Sequence, residues 1–99
     1  MPKTRQPREV WRITRKRIYI RDRGQCFRCC QLAIAHVLKL ESCHIDHIES
    51  GKRAGNADSN LRVLCPMHHT LRDDQHLRGM IGSALRTGLI PVNWREHLW

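Results

Sequence analysis

The sequence predicts a small α+β domain. Three observations support this fold class. Apolar residues near the N-terminus recur at helical spacing, two short segments in the middle of the chain resemble strands, and a helix-start signal directly follows the second of these segments. A chain of 99 residues has room for one domain with a small core, which excludes a multidomain enzyme with a large substrate cavity. We therefore expect a metal ion, disulfides or a partner to add stability.

The N-terminal quarter contains a tail followed by a helix. Residues 1–8 are expected to form a flexible basic tail, because two prolines flank their basic side chains. Residues 9–99 are expected to form the single domain. Apolar residues at helical spacing predict a helix over residues 9–22, which Gly24 ends. Three of its basic side chains are expected to face solvent or nucleic acid, namely Arg12, Arg15 and Lys16.

The middle of the chain predicts a strand, a loop, a strand and a helix. Residues 42–49 alternate between side chains of different polarity, as a half-buried strand does, and residues 60–64 form a second short strand. The segment between them is rich in Gly, Ser, Asn and Asp, which favour turns. Pro66 suits the first turn of a helix, where its missing N–H costs nothing.

The C-terminal third predicts further helix. An apolar stripe over residues 70–87 indicates a helix that Gly88 and Pro91 end. Residues 92–99 are expected to form a terminal turn whose tryptophans, Trp94 and Trp99, cover the small core. A homodimer interface is the alternative use of this segment, but a monomer is favoured.

Positive charge is concentrated at the N-terminus. Residues 1–25 carry nine basic and two acidic residues, a net charge of +7 out of +9 for the whole chain. Such a segment attracts polyanions, so DNA is the predicted partner. The chain lacks an apolar stretch long enough to cross a membrane, and its first residues lack the apolar stretch of a secretion signal, which predicts a cytoplasmic protein without membrane association.

Two short cysteine and histidine pairs predict a structural metal site. Cys26 and Cys29 form a C-x2-C pair, and Cys65 and His68 form a C-x2-H pair further along the chain. Three thiolates and one imidazole favour tetrahedral Zn²⁺, whereas an odd total of five cysteines argues against a closed disulfide framework. Cys30 is an alternative ligand to Cys29, as part of a C-x3-C pair with Cys26.

The order of these residues resembles a known nuclease family. The run Ile-Asp-His-Ile at residues 45–48, the run Asn-Leu-Arg-Val-Leu-Cys at residues 60–65 and the histidine that follows resemble the HNH endonucleases. The family's three marker residues are here His47, Asn60 and His69. The embedded zinc pairs resemble its zinc-stabilised branch, found in small bacterial and phage nucleases, although His68 stands where that branch usually has a fourth cysteine. The resemblance covers residues 21–72.

The resemblance implies a fold and a chemistry. The implied core is a ββα-metal hairpin plus helix that carries the structural zinc, flanked by N- and C-terminal helices. His47 is implied as the general base and Asn60 as the residue that braces the loop and orients it. Asp46 and His69 are implied as ligands of one catalytic divalent ion, such as Mg²⁺, Mn²⁺, Co²⁺ or Ni²⁺. Strand alternation places His44 beside Asp46, where an extra ligand, a phosphate contact or packing all remain open.

The predicted activity is therefore a metal-dependent DNA endonuclease. We expect it to hydrolyse phosphodiester bonds, nicking duplex DNA with weak sequence preference, because the short chain has no dedicated base-reading module. Further phosphate contacts are predicted at Lys52, Arg53 and Arg72. Two alternatives stay open: a zinc-dependent nucleic-acid-binding module without catalysis, and a nuclease directed at RNA.

Overall fold

A two-stranded antiparallel sheet and short helices make up the described chain. The computed structural model describes residues 7–49, 55–73 and 78–99. The elements in chain order are α1 (Arg8–Arg21), α2 (Phe27–Gln31), β1 (His44–His47), a 3-10 helix (Asp58–Asn60), β2 (Leu61–Leu64), α3 (Pro66–Thr70), α4 (Arg78–Arg86) and a second 3-10 helix (Trp94–His97). The predicted α+β composition is confirmed. Within the described residues, every helix is too short or too polar to cross a lipid bilayer.

Helix α1 matches the prediction in position but not in its buried face. Thr14 and Ile18 are buried, whereas Val10 and Ile13, whose spacing helped to predict the helix, are 45% and 59% exposed. The helix ends before Gly24, whose φ of +67° favours glycine. A Cβ at Gly24 would also lie only 3.0 Å from the carbonyl oxygen of Leu38. The backbone at Gly24 therefore packs tightly against Leu38, just before α2 begins.

The sheet consists of β1 paired with β2. In this register Asp46 lies opposite Arg62, and His47 lies opposite Leu61. Asp46 is buried on one face of the hairpin, where α3 packs against β1, while His47 is half-buried on the other. The predicted alternation of these two side chains is thus confirmed.

Two small apolar clusters form the core. The larger one joins α1, α2 and the hairpin around Ile18, Leu61, Val63 and Leu64. The smaller one lies between α3, α4 and the C-terminal segment and contains Leu71, Ile81, Ala84, Ile90 and Trp94. The prediction that C-terminal tryptophans cover the core is confirmed for Trp94, which is buried, and for Trp99, which packs against both clusters.

The prediction of one continuous helix over residues 70–87 is wrong. Helix α3 ends at Thr70, and residues 71–73 are not helical. Here the backbone pairs with a distant residue instead: Trp99 N–H donates to the Leu71 carbonyl at 3.2 Å, and Asp73 N–H donates to the Trp99 carbonyl at 2.9 Å. These non-local hydrogen bonds replace the ones that a continued helix would make.

Candidate functional site

Four buried side chains form a candidate metal centre. Cys26, Cys29, Cys65 and His68 place one ligand atom each within 4.8 Å of all the others. His68 Nδ1 lies 3.7 Å from Cys26 Sγ and 3.3 Å from the sulfurs of both Cys29 and Cys65. The predicted four residues are therefore brought together, and the donor set could hold a metal ion. Cys30, the alternative ligand, is exposed and lies 3.2 Å from Gln25 Oε1, so Cys29 is the member of the cluster.

The same cysteines begin the short helices that carry the other ligands. Cys26 is the N-cap of α2, and its sulfur accepts the N–H of Cys29 at 3.4 Å. Cys65 is the N-cap of α3, and its sulfur accepts the N–H of His68 at 3.5 Å. Backbone N–H groups directed at sulfur favour the thiolate form, which is the form that binds metal.

The three thiols differ in acidity. Hydrogen bonding with Cys65 lowers the pKa of Cys26 to about 3, against the opposing effect of burial. Burial raises the pKa of Cys29 to about 11. The hydrogen bond with Cys26, followed by burial, raises the pKa of Cys65. Within the folded cluster, Cys26 is therefore the most acidic of the three thiols.

Aromatic and basic side chains cover the metal centre. The indole N–H of Trp99 donates to the carbonyl of His68 at 2.7 Å, and the two rings meet edge to face. The guanidinium carbon of Arg28 lies 5.4 Å from the centre of the Trp99 ring. Arg62 contacts two aromatic rings, 4.7 Å from the centre of Phe27 and 4.8 Å from that of Trp99. These contacts are of the cation–π type.

A second polar cluster surrounds Asp46, which is only 1% exposed. Arg62 Nε donates to its Oδ2 at 2.9 Å, and Arg72 Nη1 donates to both oxygens at 2.9 Å. His69 Nε2 lies 3.4 Å from Asp46 Oδ1. Burial raises the pKa of Asp46, but the hydrogen bonds from His69, Arg72 and Arg62 outweigh burial and lower the pKa overall. Asp46 is therefore an ionised carboxylate held between two guanidinium groups.

His69 also contacts His44. The two Nδ1 atoms lie 2.8 Å apart, and the rings are nearly perpendicular at 86°. Burial, followed by the charges of His69 and Arg15, lowers the pKa of His44. The imidazole of His69 thus lies between an exposed histidine on one side and a buried carboxylate on the other.

His47 lies apart from these residues on the opposite face of β1. Its ring stacks on the indole of Trp11 from α1, and its Nε2 lies 2.8 Å from Asn56 Oδ1. Asn60 accepts the N–H of Glu49 at 2.9 Å and donates to the carbonyls of Glu49 and Gly55 at 3.0 Å each. Asn60 therefore joins Glu49 and Gly55, and its implied role in orienting His47 stays a prediction.

The predicted nucleic-acid contacts fall into three groups. Arg12 and Lys16 are exposed on α1, and Arg12 forms an ion pair with Glu9. Arg15 and Arg72, both predicted to contact nucleic acid, are instead hydrogen-bonded to acceptors within the protein. Arg15 donates to the carbonyls of Leu40 and Cys43, and Arg72 is 6% exposed and donates to the carbonyls of His47 and Ile48 besides Asp46. Lys52 and Arg53 lie outside the described residues.

Sequence reasoning missed three residues of the site: Trp11, Asn56 and Arg62. The signal for Arg62 was present, since the register of two adjacent antiparallel strands places it opposite Asp46. Trp11 and Asn56 reach His47 from α1 and from the loop, so no local pattern could have found them. Comparison with known proteins gives no matching family model, no matching curated protein and no matching solved structure.

Proposed function

We propose that the protein is a zinc-stabilised, metal-dependent DNA endonuclease built on a ββα-metal core of the HNH type. The observation that supports this most is the short distance of 3.4 Å between Asp46 and His69, which come from β1 and α3. These are the two residues that the resemblance assigns to the catalytic ion. His47 and Asn60 occupy the end of the same hairpin.

The buried Cys26, Cys29, Cys65 and His68 cluster fits a structural zinc ion. Three soft sulfurs and one imidazole nitrogen are the donors that zinc prefers, and four protein ligands leave no open position for a substrate. A zinc ion at this site would therefore stabilise the fold and take no part in catalysis. In a domain of this size, the free energy of metal binding contributes directly to the free energy of folding.

Hydrolysis of a phosphodiester requires a base, charge stabilisation and a fixed geometry. His69 would help to hold a divalent ion, which would supply Lewis-acid stabilisation of the developing negative charge. His47 accepts the proton of the attacking water, and Trp11 and Asn56 hold its ring in place. Asn60 holds Glu49 and Gly55 through its three hydrogen bonds.

Charge supports DNA as the substrate. The net charge of the chain is +9, and Arg12 and Lys16 are exposed on α1, the helix that also carries Trp11. Phosphate contacts of this kind give affinity without reading bases, so weak sequence preference is expected.

One observation favours a second function, a zinc-dependent nucleic-acid-binding module without catalysis. The charge of Asp46 is already balanced by Arg62 and Arg72, which leaves this carboxylate less suited to a divalent ion than the resemblance implies.

Cleavage of supercoiled plasmid separates the two functions. Zinc-loaded protein is mixed with plasmid and Mg²⁺, Mn²⁺ or Ni²⁺, beside His47→Ala and the control variant His97→Ala, which alters an exposed histidine in the second 3-10 helix. We expect open-circular product before linear product with wild type and His97→Ala only, and only with added metal. A matched RNA tests the RNA-directed alternative. Folded, zinc-bound protein that binds DNA but cuts neither nucleic acid with any metal would overturn the nuclease proposal in favour of the binding module.

A further inference from the structure

His44 and His69 are joined by a hydrogen bond between ring nitrogens, at a separation that two ligands of one metal ion also adopt. Their Nδ1 atoms face each other at 2.8 Å from rings that are nearly perpendicular. Two nitrogens that bind one ion at about 2.1 Å and at right angles to each other lie about 3 Å apart. His44 is exposed, and the side chain of His69 is 29% exposed, so water and phosphate can reach this point.

The two histidines come from different elements of the fold, β1 and α3. His44 is the first residue of β1 and shares a strand face with Asp46, while α3 crosses that face and presents His69 to both. The residue before His69 on α3 is His68, which belongs to the buried metal cluster. Helix α3 therefore connects the histidine pair to that cluster.

Asp46 lies on the other side of the His69 ring. Its Oδ1 is 3.4 Å from Nε2, the nitrogen that does not face His44. A carboxylate at one ring nitrogen favours the tautomer with the proton there, and it leaves the lone pair on Nδ1. Arg62 and Arg72 occupy both oxygens of Asp46, so a divalent ion bound directly to this carboxylate would lie beside two guanidinium charges.

We infer that His44 and His69 together bind a divalent ion through their Nδ1 atoms, with Asp46 as a positioning residue that acts through His69. Two imidazoles favour Mn²⁺, Co²⁺, Ni²⁺ or Zn²⁺ over Mg²⁺. The site accounts for His44, whose role the sequence leaves open. The binding itself follows from the geometry. That the bound ion is the catalytic one rests on the proposed function.

Nitrogen NMR of the histidine rings tests the ligand atoms directly. Protein that already holds one zinc ion receives a second equivalent of Zn²⁺, a probe that does not broaden the signals. We expect the Nδ1 resonances of both His44 and His69 to shift, and Nε2 of His69 to keep the signature of a protonated nitrogen. A shift at Nε2 of His69 with His44 unchanged would overturn the inference, because it would place the ion on the Asp46 side.

Calorimetry of the same second equivalent supplies a matched comparison. His44→Ala and His69→Ala should each weaken binding by at least about tenfold, whereas His97→Ala, an exposed histidine far along the chain, should leave it unchanged. Circular dichroism and the zinc content establish that each variant is folded. Unchanged affinity in folded His44→Ala would overturn the inference. Binding at His44 and His69 without plasmid cleavage would leave it intact and count against the proposed nuclease function instead.

Discussion

The ring of His47 lies parallel to the indole of Trp11, with 5.8 Å between the ring centres and 5° between the planes. The contact joins the first helix to the hairpin that carries the candidate base. Stacking of this kind restricts ring rotation, and Asn56 fixes the ring within its plane through Nε2. Helix α1 therefore has a role in the candidate active site besides its positive charge.

Replacing the candidate base should abolish most cleavage without unfolding the protein. His47→Ala is expected to lower the rate of plasmid cleavage by about 10²–10⁴-fold, the usual contribution of a general base. Zinc content and thermal stability should change little, because His47 is half-buried and lies outside the metal cluster. Cleavage at the wild-type rate by His47→Ala would assign the base elsewhere.

Trp11 should act through His47 rather than on the substrate. Trp11→Ala removes the stacking partner and should lower kcat by up to about tenfold, since aromatic pairs contribute about 0.5–1.5 kcal/mol. Trp11→Phe keeps a ring at this position and should restore most of the rate. Steady-state cleavage of a short duplex measures both constants, and a change confined to KM would instead indicate a DNA contact.

The metal cluster should be essential for folding. Cys26→Ala removes one of four ligands, and metal binding in small zinc modules contributes about 10–16 kcal/mol, so the variant should lose both zinc and its helical circular dichroism. Cys30→Ala is the matched control because Cys30 is exposed and outside the cluster. A Cys26→Ala protein that stays folded with a full equivalent of zinc would disprove the ligand set.

Zinc binding should release about three protons near pH 7. The zinc-free chain is expected to be unfolded, and a cysteine in an unfolded chain has a pKa of about 8.5, so the thiols of Cys26, Cys29 and Cys65 are largely protonated until the ion binds. Calorimetry in two buffers with different ionisation enthalpies counts the released protons. Zinc affinity should consequently rise with pH in this range, and a count near zero would contradict the thiol assignment.

The ionised form of Asp46 should stabilise the fold at neutral pH. Asp46→Asn leaves Arg62 and Arg72 without their buried carboxylate and should lower the free energy of unfolding by about 3–5 kcal/mol. The pKa of Asp46 is lowered in the folded protein, so its contribution is present above the unfolded value near 3.9 and is lost only as pH falls through the still lower folded value.

Urea unfolding of zinc-loaded protein at several pH values measures this difference. The gap in stability between wild type and Asp46→Asn should stay constant from about pH 8 to about pH 6, where Asp46 remains ionised. Asp58→Asn is a suitable control, because its ion pair with Arg17 is exposed and should contribute little. A gap that already narrows within this range would contradict the lowered pKa.

Features encoded by local spacing could be predicted from the sequence. Helix α1 at Arg8–Arg21 falls within one residue of the predicted range, and the C-x2-C and C-x2-H pairs supply all four residues of the metal cluster. Both depend on neighbours a few positions apart, whose geometry the chain dictates directly.

Features that depend on distant partners could not be predicted. Arg72 was expected to contact phosphate, but its guanidinium donates to the carboxylate of Asp46 and to the carbonyls of His47 and Ile48 instead. Arg15 was expected to face solvent or nucleic acid, but its guanidinium donates hydrogen bonds to the carbonyls of Leu40 and Cys43. In each case a hydrogen-bond acceptor far along the chain decided the direction of the side chain.

His68 and His69 are consecutive residues of one five-residue helix, and they point toward different clusters. A helix this short does not hold its shape alone in water, so an ion that orders His68 would also fix the direction of His69. The two proposed ions should consequently bind cooperatively. Zinc should raise the affinity for the second ion, and by thermodynamic reciprocity the second ion should raise the affinity for zinc by the same factor. Loading of the protein with metal is therefore expected to follow a fixed order, with the buried cluster first.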